Sequence, residues 1–326
     1  MISHDYSVYQ RDRHTIAEVP QLSYDLLLSA FNDSDRVEAV YQSLSAARKI
    51  WLVHGEYGYA APKLPTEPFW ETDASEGAID AWERCFRELG LDPSLDIAID
   101  ITGMMRPHLV TLPLMLRRGG FKNVTFIYSD PQSYVSGQST QFTKGPVESV
   151  GVLPGFAGLH ATSHGAKDCL IIGAGYDHDL VRAVAEHKRN AEHYLVVGLP
   201  ALQPHMYQES VYRVASVKES LSGFRDRNLL FAPANNPFMT AQVLSDQVNR
   251  LRSGRSSYNF YLAPVGPKTQ VLGFSLYYLC EGAGTTTSIV FPRASRYNSE
   301  TSRGIETVHL FHLELDAFSS AAPLLP

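Results

Sequence analysis

One phrase is written twice in this chain, as DITGMMRPHLVTLPLML from Asp100 and as APVGPKTQVLGFSLYYL from Ala263. Each copy follows an apolar run, crosses a short turn with one glycine and one basic residue, and enters an apolar helix-like segment. With Gly103 set on Gly266, no gap is needed over the next 31 residues, so that Tyr128 falls on Phe291 and Tyr134 on Tyr297. Further on, KGPVESV (144–150) matches RGIETV (303–308), and LVHGEYGY (52–59) matches IIGAGYDH (171–178) at the opening of each unit. Chance likeness between two strand–turn–helix segments explains the apolar pattern. It does not explain the shared glycine, the aligned tyrosines and the repeated closing segment. A duplication is therefore expected, which restricts the fold to two similar halves.

The local pattern says what kind of halves. IWLVHG, LDIAIDI and NVTFIYSD read as buried parallel strands, and GAIDAWERCFRELG between the first two is an amphipathic helix with Gly90 at its C-cap. A second series follows, with strands CLIIGA, HYLVVGL, NLLFAPA, NFYLAP and SIVFPR and a helix entered at NNPFMTAQVLSDQVNRL. There Asn235 or Asn236 is placed to cap and Pro237 suits the first turn. IETVHLFHLEL alternates as a β-strand at a sheet edge would. Strand–helix alternation at this spacing is the signature of a parallel sheet. The expected fold class is α/β, with duplicated Rossmann-like units, largely parallel sheets and a short N-terminal helical segment. That segment is placed at 1–47, with Leu26, Leu27, Leu28 and Phe31 in a first helix and Val37 to Ala47 in a second. The halves are placed at 48–155 and 167–316, the connector at 156–166 and a tail at 317–326.

A formal charge of −6 gives no global case for wrapping nucleic acid. The scattered Cys85, Cys169 and Cys280 sit in apolar contexts and read as reduced, buried thiols. MISHDYSVYQRDRH lacks the apolar core of a secretory signal, and no run of about 18 apolar residues is present. The expectation is a cytoplasmic protein without a membrane span.

In open parallel sheets ligands bind beyond the carboxyl ends of the strands, where helix N-termini offer free N–H groups and partial positive charge. TGMMRPH places Thr102, Gly103, Arg106 and His108 there, with Asp100 at the strand end. VGPKTQ places Gly266, Lys268, Thr269 and Gln270 at the matching point. Two such anion cradles suit a ligand carrying two or more phosphates, with Tyr134 and Tyr297 placed to stack on a base and Asn235 to meet its polar edge. The plainer alternative is that these are ordinary βα-turn residues, Asp100 caps its own loop and the tyrosines close the sheet.

Other chemistries are poorly supported. GAGYDH starts like a dinucleotide-binding turn but has His178 in place of the third glycine, and YLVVGLP brings no ribose-binding acid. There is neither a P-loop nor a G-x-S-x-G elbow. His160 and His164 lack further ligands, and His309 and His312 lie on opposite faces of a strand. No metal and no cofactor is expected. His54 and His108 belong to one carboxyl-end rim, and a catalytic set of His108, Asp100 and Arg106 is the candidate for acid–base and anion-stabilising work.

DITGMMRPHLVTLPLML resembles the strand–[ST]-G–basic–helix motif of CRISPR-associated Rossmann-fold (CARF) sensor domains, and is similar to the related SAVED domains, which fuse two such units. The resemblance implies a face that binds cyclic oligonucleotides across a pseudo-two-fold axis, with Thr102, Gly103 and Arg106 on it and Gly266 and Lys268 contributed by the second copy. It also implies antiviral defence, with the signal passed to a separate effector protein or the ligand degraded. Three functions are thus expected in order. The first is a sensor binding a phosphate-bearing nucleotide-type ligand between pseudo-symmetric halves. The second is a hydrolase or nuclease acting on a nucleotide-derived substrate, and the third a non-catalytic scaffold subunit.

Overall fold

A computed structural model of the chain describes residues 4–134, 143–160, 165–175, 177–202, 221, 224–254, 256–297 and 302–318, with backbone alone at 134, 143–146, 294–297, 317 and 318. The chain divides into two compact units. The first is made of residues 9–144 with 296–317, and the second centres on 145–295.

In the first unit β2 (Ser23–Ala30), β3 (Ser45–Val53), β4 (Phe69–Glu71), β5 (Ile97–Asp100) and β6 (Asn123–Tyr134) run parallel. They lie in the order β4-β3-β2-β5-β6. This is the doubly wound order in which the chain reverses direction between the first and fourth strands, here β2 and β5. β13 (Ser302–Glu314) pairs antiparallel with β6, and β1 (Arg11–His14) pairs antiparallel with β13. The helices are α1 (Asp35–Ser43), α2 (Ala78–Leu89) and α3 (Arg106–Arg118). On α2 the buried Ala81, Trp82 and Cys85 form one face, and Gly90 ends the helix at φ 60°, the left-handed cap anticipated for it. The core against α1 includes Trp51 and Tyr41, stacked with ring centroids 3.7 Å apart.

The second unit repeats the plan. β8 (Lys167–Gly173), β9 (Glu192–Gly198), β10 (Leu229–Ala232), β11 (Tyr258–Pro264) and β12 (Thr287–Tyr297) lie in the order β10-β9-β8-β11-β12, with β7 (Thr143–Val152) beside β12. Its helices are α4 (His178–His187), α5 (Pro237–Arg252) and α6 (Lys268–Tyr277). The two quoted phrases are β5 to α3 and β11 to α6, the same step in both units. Both helices are core elements: ten of thirteen residues of α3 and nine of ten of α6 are buried.

The α/β class and duplicated Rossmann-like plan stand, but four expectations change. Leu26, Leu27 and Leu28 lie in strand β2, between β3 and β5, not in a helix. A strand buried on both faces is a continuous apolar run, and over so few residues its period cannot be told from a helix. The first half therefore begins before residue 48, which falls inside β3. In consequence β8 corresponds to β2 rather than to the strand ending at His54, and β3 corresponds to β9. Finally, the closing strands are exchanged. β7 joins the second sheet and β13 the first, where β1 and β6 flank it, so IETVHLFHLEL is an interior strand.

His193, wholly buried in β9, donates from Nε2 to the Lys188 carbonyl at 2.9 Å. Burial pushes its pKa below the ordinary value, against the raising effect of that bond. The unfolded chain thus binds the proton more readily, so this contribution is complete above about pH 6.5 and lost as the pH falls through that value. Urea unfolding at pH 5.5 and 7.5 is expected to show lower stability in acid, with a smaller difference in His193→Gln. An equal difference in both proteins would exclude His193 as a source.

Candidate functional site

Where β2, β3, β5 and β6 of the first unit end, the loops bring two groups of polar side chains together. The first is built on the turn after β3 and the start of α3. His54 and His108 are 1% and 2% exposed, with ring centroids 4.7 Å apart. His108 Nε2 lies 2.9 Å from Glu56 Oε1, and His108 Nδ1 has no hydrogen-bond partner. The second Glu56 oxygen accepts from the Thr72 hydroxyl at 3.0 Å, and Thr72 in turn accepts from Gly55 N at 3.0 Å. Met105 N donates to His54 Nε2 at 3.3 Å, and Trp82 Nε1 to the His108 carbonyl at 3.0 Å, so α2 holds the start of α3 in place. Burial alone would raise the Glu56 carboxyl, but the hydrogen bond and charge of His108, with His54 adding to them, hold it down at about 2. Glu56 is thus an anion against two buried imidazoles.

The second group lies toward β6. Arg36, at the start of α1, is 6% exposed, donates from NH1 to the Ser129 carbonyl and keeps Nε without a hydrogen-bond partner. Its guanidinium lies 5.8 Å from the centre of the Tyr128 ring. Burial raises the Tyr128 hydroxyl; the charge and hydrogen bond of Arg36 oppose that rise, the charge of Asp130 adds to it, and the charge of Arg106 opposes it least. Opposite Tyr128 in the strand pairing stands His309, whose Nε2 meets Asp130 Oδ2 at 2.7 Å.

The residues singled out from the sequence divide accordingly. Asp100 is fully buried, and its oxygens accept from Thr102 N at 2.9 Å and Ser29 Oγ at 3.3 Å. Burial pushes its carboxyl pKa up. Asp100 therefore closes its own loop, and the carboxylate that meets His108 is Glu56. Thr102 Oγ1 contacts Ser129 Oγ at 3.2 Å and accepts from Ser129 N at 3.1 Å, tying the loop to β6. Gly103 lets the loop lie on β2, since a Cβ there would stand 2.0 Å from the Ala30 carbonyl oxygen. Arg106 is the first residue of α3 and 8% exposed.

In the second unit Lys268 opens α6, directly after the turn holding Gly266. Thr269 and Gln270 are wholly buried and donate to the carbonyls of Ala234 and Ala232, so their side chains brace the end of β10. Asn236, rather than Asn235, caps α5 by accepting from Phe238 N and Met239 N. Asn235 is half-buried in the turn before it. In GAGYDH, Asp177 accepts from Leu180 N and puts a carboxylate at the start of α4, where a dinucleotide fold would bind phosphate. The side chains of Tyr134 and Tyr297 lie outside those described.

Glu56 and Arg36 are the residues sequence reasoning missed. Glu56 had a visible signal, an acid two residues beyond a strand-end histidine. Arg36 had none once Leu26–Leu28 was read as a helix.

No helix among the described residues is long and apolar enough to cross a membrane. No protein family matches the chain. No curated protein matches it. Among solved structures the chain is similar to a CobK precorrin-6A reductase, at 10% identity over 84% of this chain and 90% of that one, with a TM-score of 0.24, a likeness too slight to carry a functional argument.

Proposed function

We propose that the protein binds a phosphate-bearing, nucleotide-type ligand at the carboxyl-end rim of the first unit, as a sensor of such molecules. The main support is the pair of buried guanidiniums, Arg36 and Arg106, acting together on Tyr128 with an Arg36 N–H left unpartnered. A buried guanidinium with a donor to spare takes one further acceptor, and phosphate oxygens supply one. The place agrees, because α1 and α3 leave the sheet from β2 and β5, on either side of the switch point. The likeness of ITGMMR to CARF motifs makes cyclic oligonucleotides the first ligands to try and antiviral defence the setting to examine.

Thermal unfolding with mononucleotides, dinucleotides and linear and cyclic oligonucleotides tests this. A ligand at a thousand times its Kd stabilises by about 4 kcal/mol. Arg106→Ala and Arg36→Ala are each expected to weaken binding at least tenfold, and Lys268→Ala tests the matching loop of the second unit by itself. If no phosphate compound shifts the melting curve, nucleotide binding is wrong. The Glu56–His108 pair favours a second reading, hydrolysis of the ligand, with His108 as acid–base group. Chromatography of the recovered ligand separates the two: an intact molecule means a sensor, a cleaved one a hydrolase.

A further inference from the structure

We infer that His54, Glu56 and His108 hold a divalent transition-metal ion of the zinc type in the first unit, a site independent of nucleotide binding. The donor atoms of these three residues all lie within 4.8 Å of one another. Ligands of a tetrahedral zinc stand about 3.3 Å apart, given metal–ligand bonds of about 2.0–2.1 Å, so modest side-chain movement closes the set. Two imidazoles and one carboxylate are the donor set of many zinc sites that keep a fourth position for water, and they suit zinc better than magnesium or calcium, which take oxygen.

Three observations beyond proximity support the ion. His108 is buried, yet Nδ1 has no hydrogen-bond partner, so the cluster is incomplete as a hydrogen-bonded network. The ion takes His108 through Nε2 and Glu56 through Oε1, replacing their 2.9 Å contact, and leaves Nδ1 at the far edge of the ring to carry the proton that fixes the tautomer of a metal ligand. The set is also braced from outside. The Thr72 hydroxyl holds Glu56, and the Trp82 indole holds the backbone of His108. Of the bonds around the cluster, the 3.3 Å one from Met105 N to His54 is the longest, and an ion displaces it as well.

The third observation is the way in. A groove lined by Glu71, Thr72, Asp73, Glu76 and Arg84 adjoins the cluster through Thr72, whose hydroxyl is bonded to Glu56. Arg84 is already paired with Glu76 at 2.9 Å and Glu88 at 3.2 Å. Glu71 and Asp73 therefore leave the groove acidic, which draws cations and repels phosphate. A metal-site assignment needs its ligand set, a braced outer shell and an approach for the ion; the first two are present, and Glu56, whose side chain is 21% exposed, is the ligand that an arriving ion meets first.

The test uses the full chain, stripped with chelator, dialysed and titrated with Co2+ and then Zn2+, with no nucleotide present. Expected are one strongly bound equivalent per chain, visible Co2+ ligand-field bands of low-symmetry four- or five-coordination, and their loss on adding Zn2+. Glu56→Gln and His108→Gln should each weaken Zn2+ binding at least tenfold while the apo proteins melt within a few degrees of the parent. His187→Gln, on an exposed helix end, should bind as the parent does. Should the parent bind no ion above the Glu56→Gln/His108→Gln double variant, the site does not exist. If a single variant fails to fold, that double comparison is replaced by the Co2+ spectrum of the parent, whose absence alone overturns the assignment. Neither outcome bears on nucleotide binding by Arg36 and Arg106, which is measured without metal, whereas a bound ion excludes His108 as the free acid–base group of a hydrolase.

Discussion

Gly103→Ala is expected to destabilise the protein by about 3 kcal/mol, near the upper end of overpacking costs. The added Cβ would stand 2.0 Å from the carbonyl oxygen of Ala30 and 2.9 Å from its carbon. Both are backbone atoms at the end of β2, held by pairing with β3 and β5, so neither can move aside cheaply. The aligned glycine of the second unit provides the control. A Cβ on Gly266 meets the side-chain oxygen of Gln270 at 2.9 Å, and the nearest backbone atom, Gly173 O, is at 3.3 Å. Rotation of an amide relieves much of that contact, so Gly266→Ala should cost about 1 kcal/mol. Urea midpoints of the two variants check the ranking. Equal costs would show slack at Gly103 and exclude the contact with β2 as the reason for a glycine there.

Asp100→Ala should cost about 3 kcal/mol, because it strands the Thr102 amide and the Ser29 hydroxyl in a fully buried place. Asp100→Asn should cost far less, since the amide oxygen still accepts from Thr102 N. The pH dependence has a defined sign. Burial raises the folded pKa of Asp100 above its unfolded value, so the folded chain binds that proton more tightly. The contribution of Asp100 is then greatest in acid and is lost as the pH rises from about 3.9 through the folded pKa. Asp100→Asn, which carries no charge, should therefore gain on the parent between pH 4 and pH 8. The difference in urea midpoint between the two proteins at those pH values decides it. If Asp100→Asn instead lost ground as the pH rose, the ionised carboxylate would be stabilising and the charge of Arg36 would outweigh burial.

Much of the rim was legible beforehand because it is local. The step from β5 to α3 and its copy from β11 to α6 could be read from apolar runs, a turn glycine and a basic first helical residue. That His54 and His108 share one rim followed from each lying just beyond a parallel strand, since all such ends lie on one side of a sheet; that they meet across the end of β2, which lies between β3 and β5, is tertiary. Their carboxylate could not be chosen so easily. Asp100 ends β5 and Glu56 follows β3, and the difference is that Asp100 is spent on Thr102 and Ser29 while Glu56 turns to His108. Likewise Thr269 and Gln270 looked like ligand donors, and are bound to carbonyls at the end of a strand more than thirty residues away.

The amino-acid order settled the duplication, the position of the repeated turns and the strand-to-helix steps on either side of them, because those rest on contacts within a few residues and on periodic burial. Tertiary structure alone decided which strands became neighbours. KGPVESV and RGIETV are alike in sequence, and only sheet pairing sends β7 to the second sheet and β13 to the first. It also set Leu26–Leu28 between β3 and β5, where burial on both faces selects an extended chain over a helix. With β2 in that place α1 follows it, and Arg36 arrives beside Tyr128. The chemistry of both clusters thus depends on hydrogen-bond partners far apart in the chain, which local pattern does not encode.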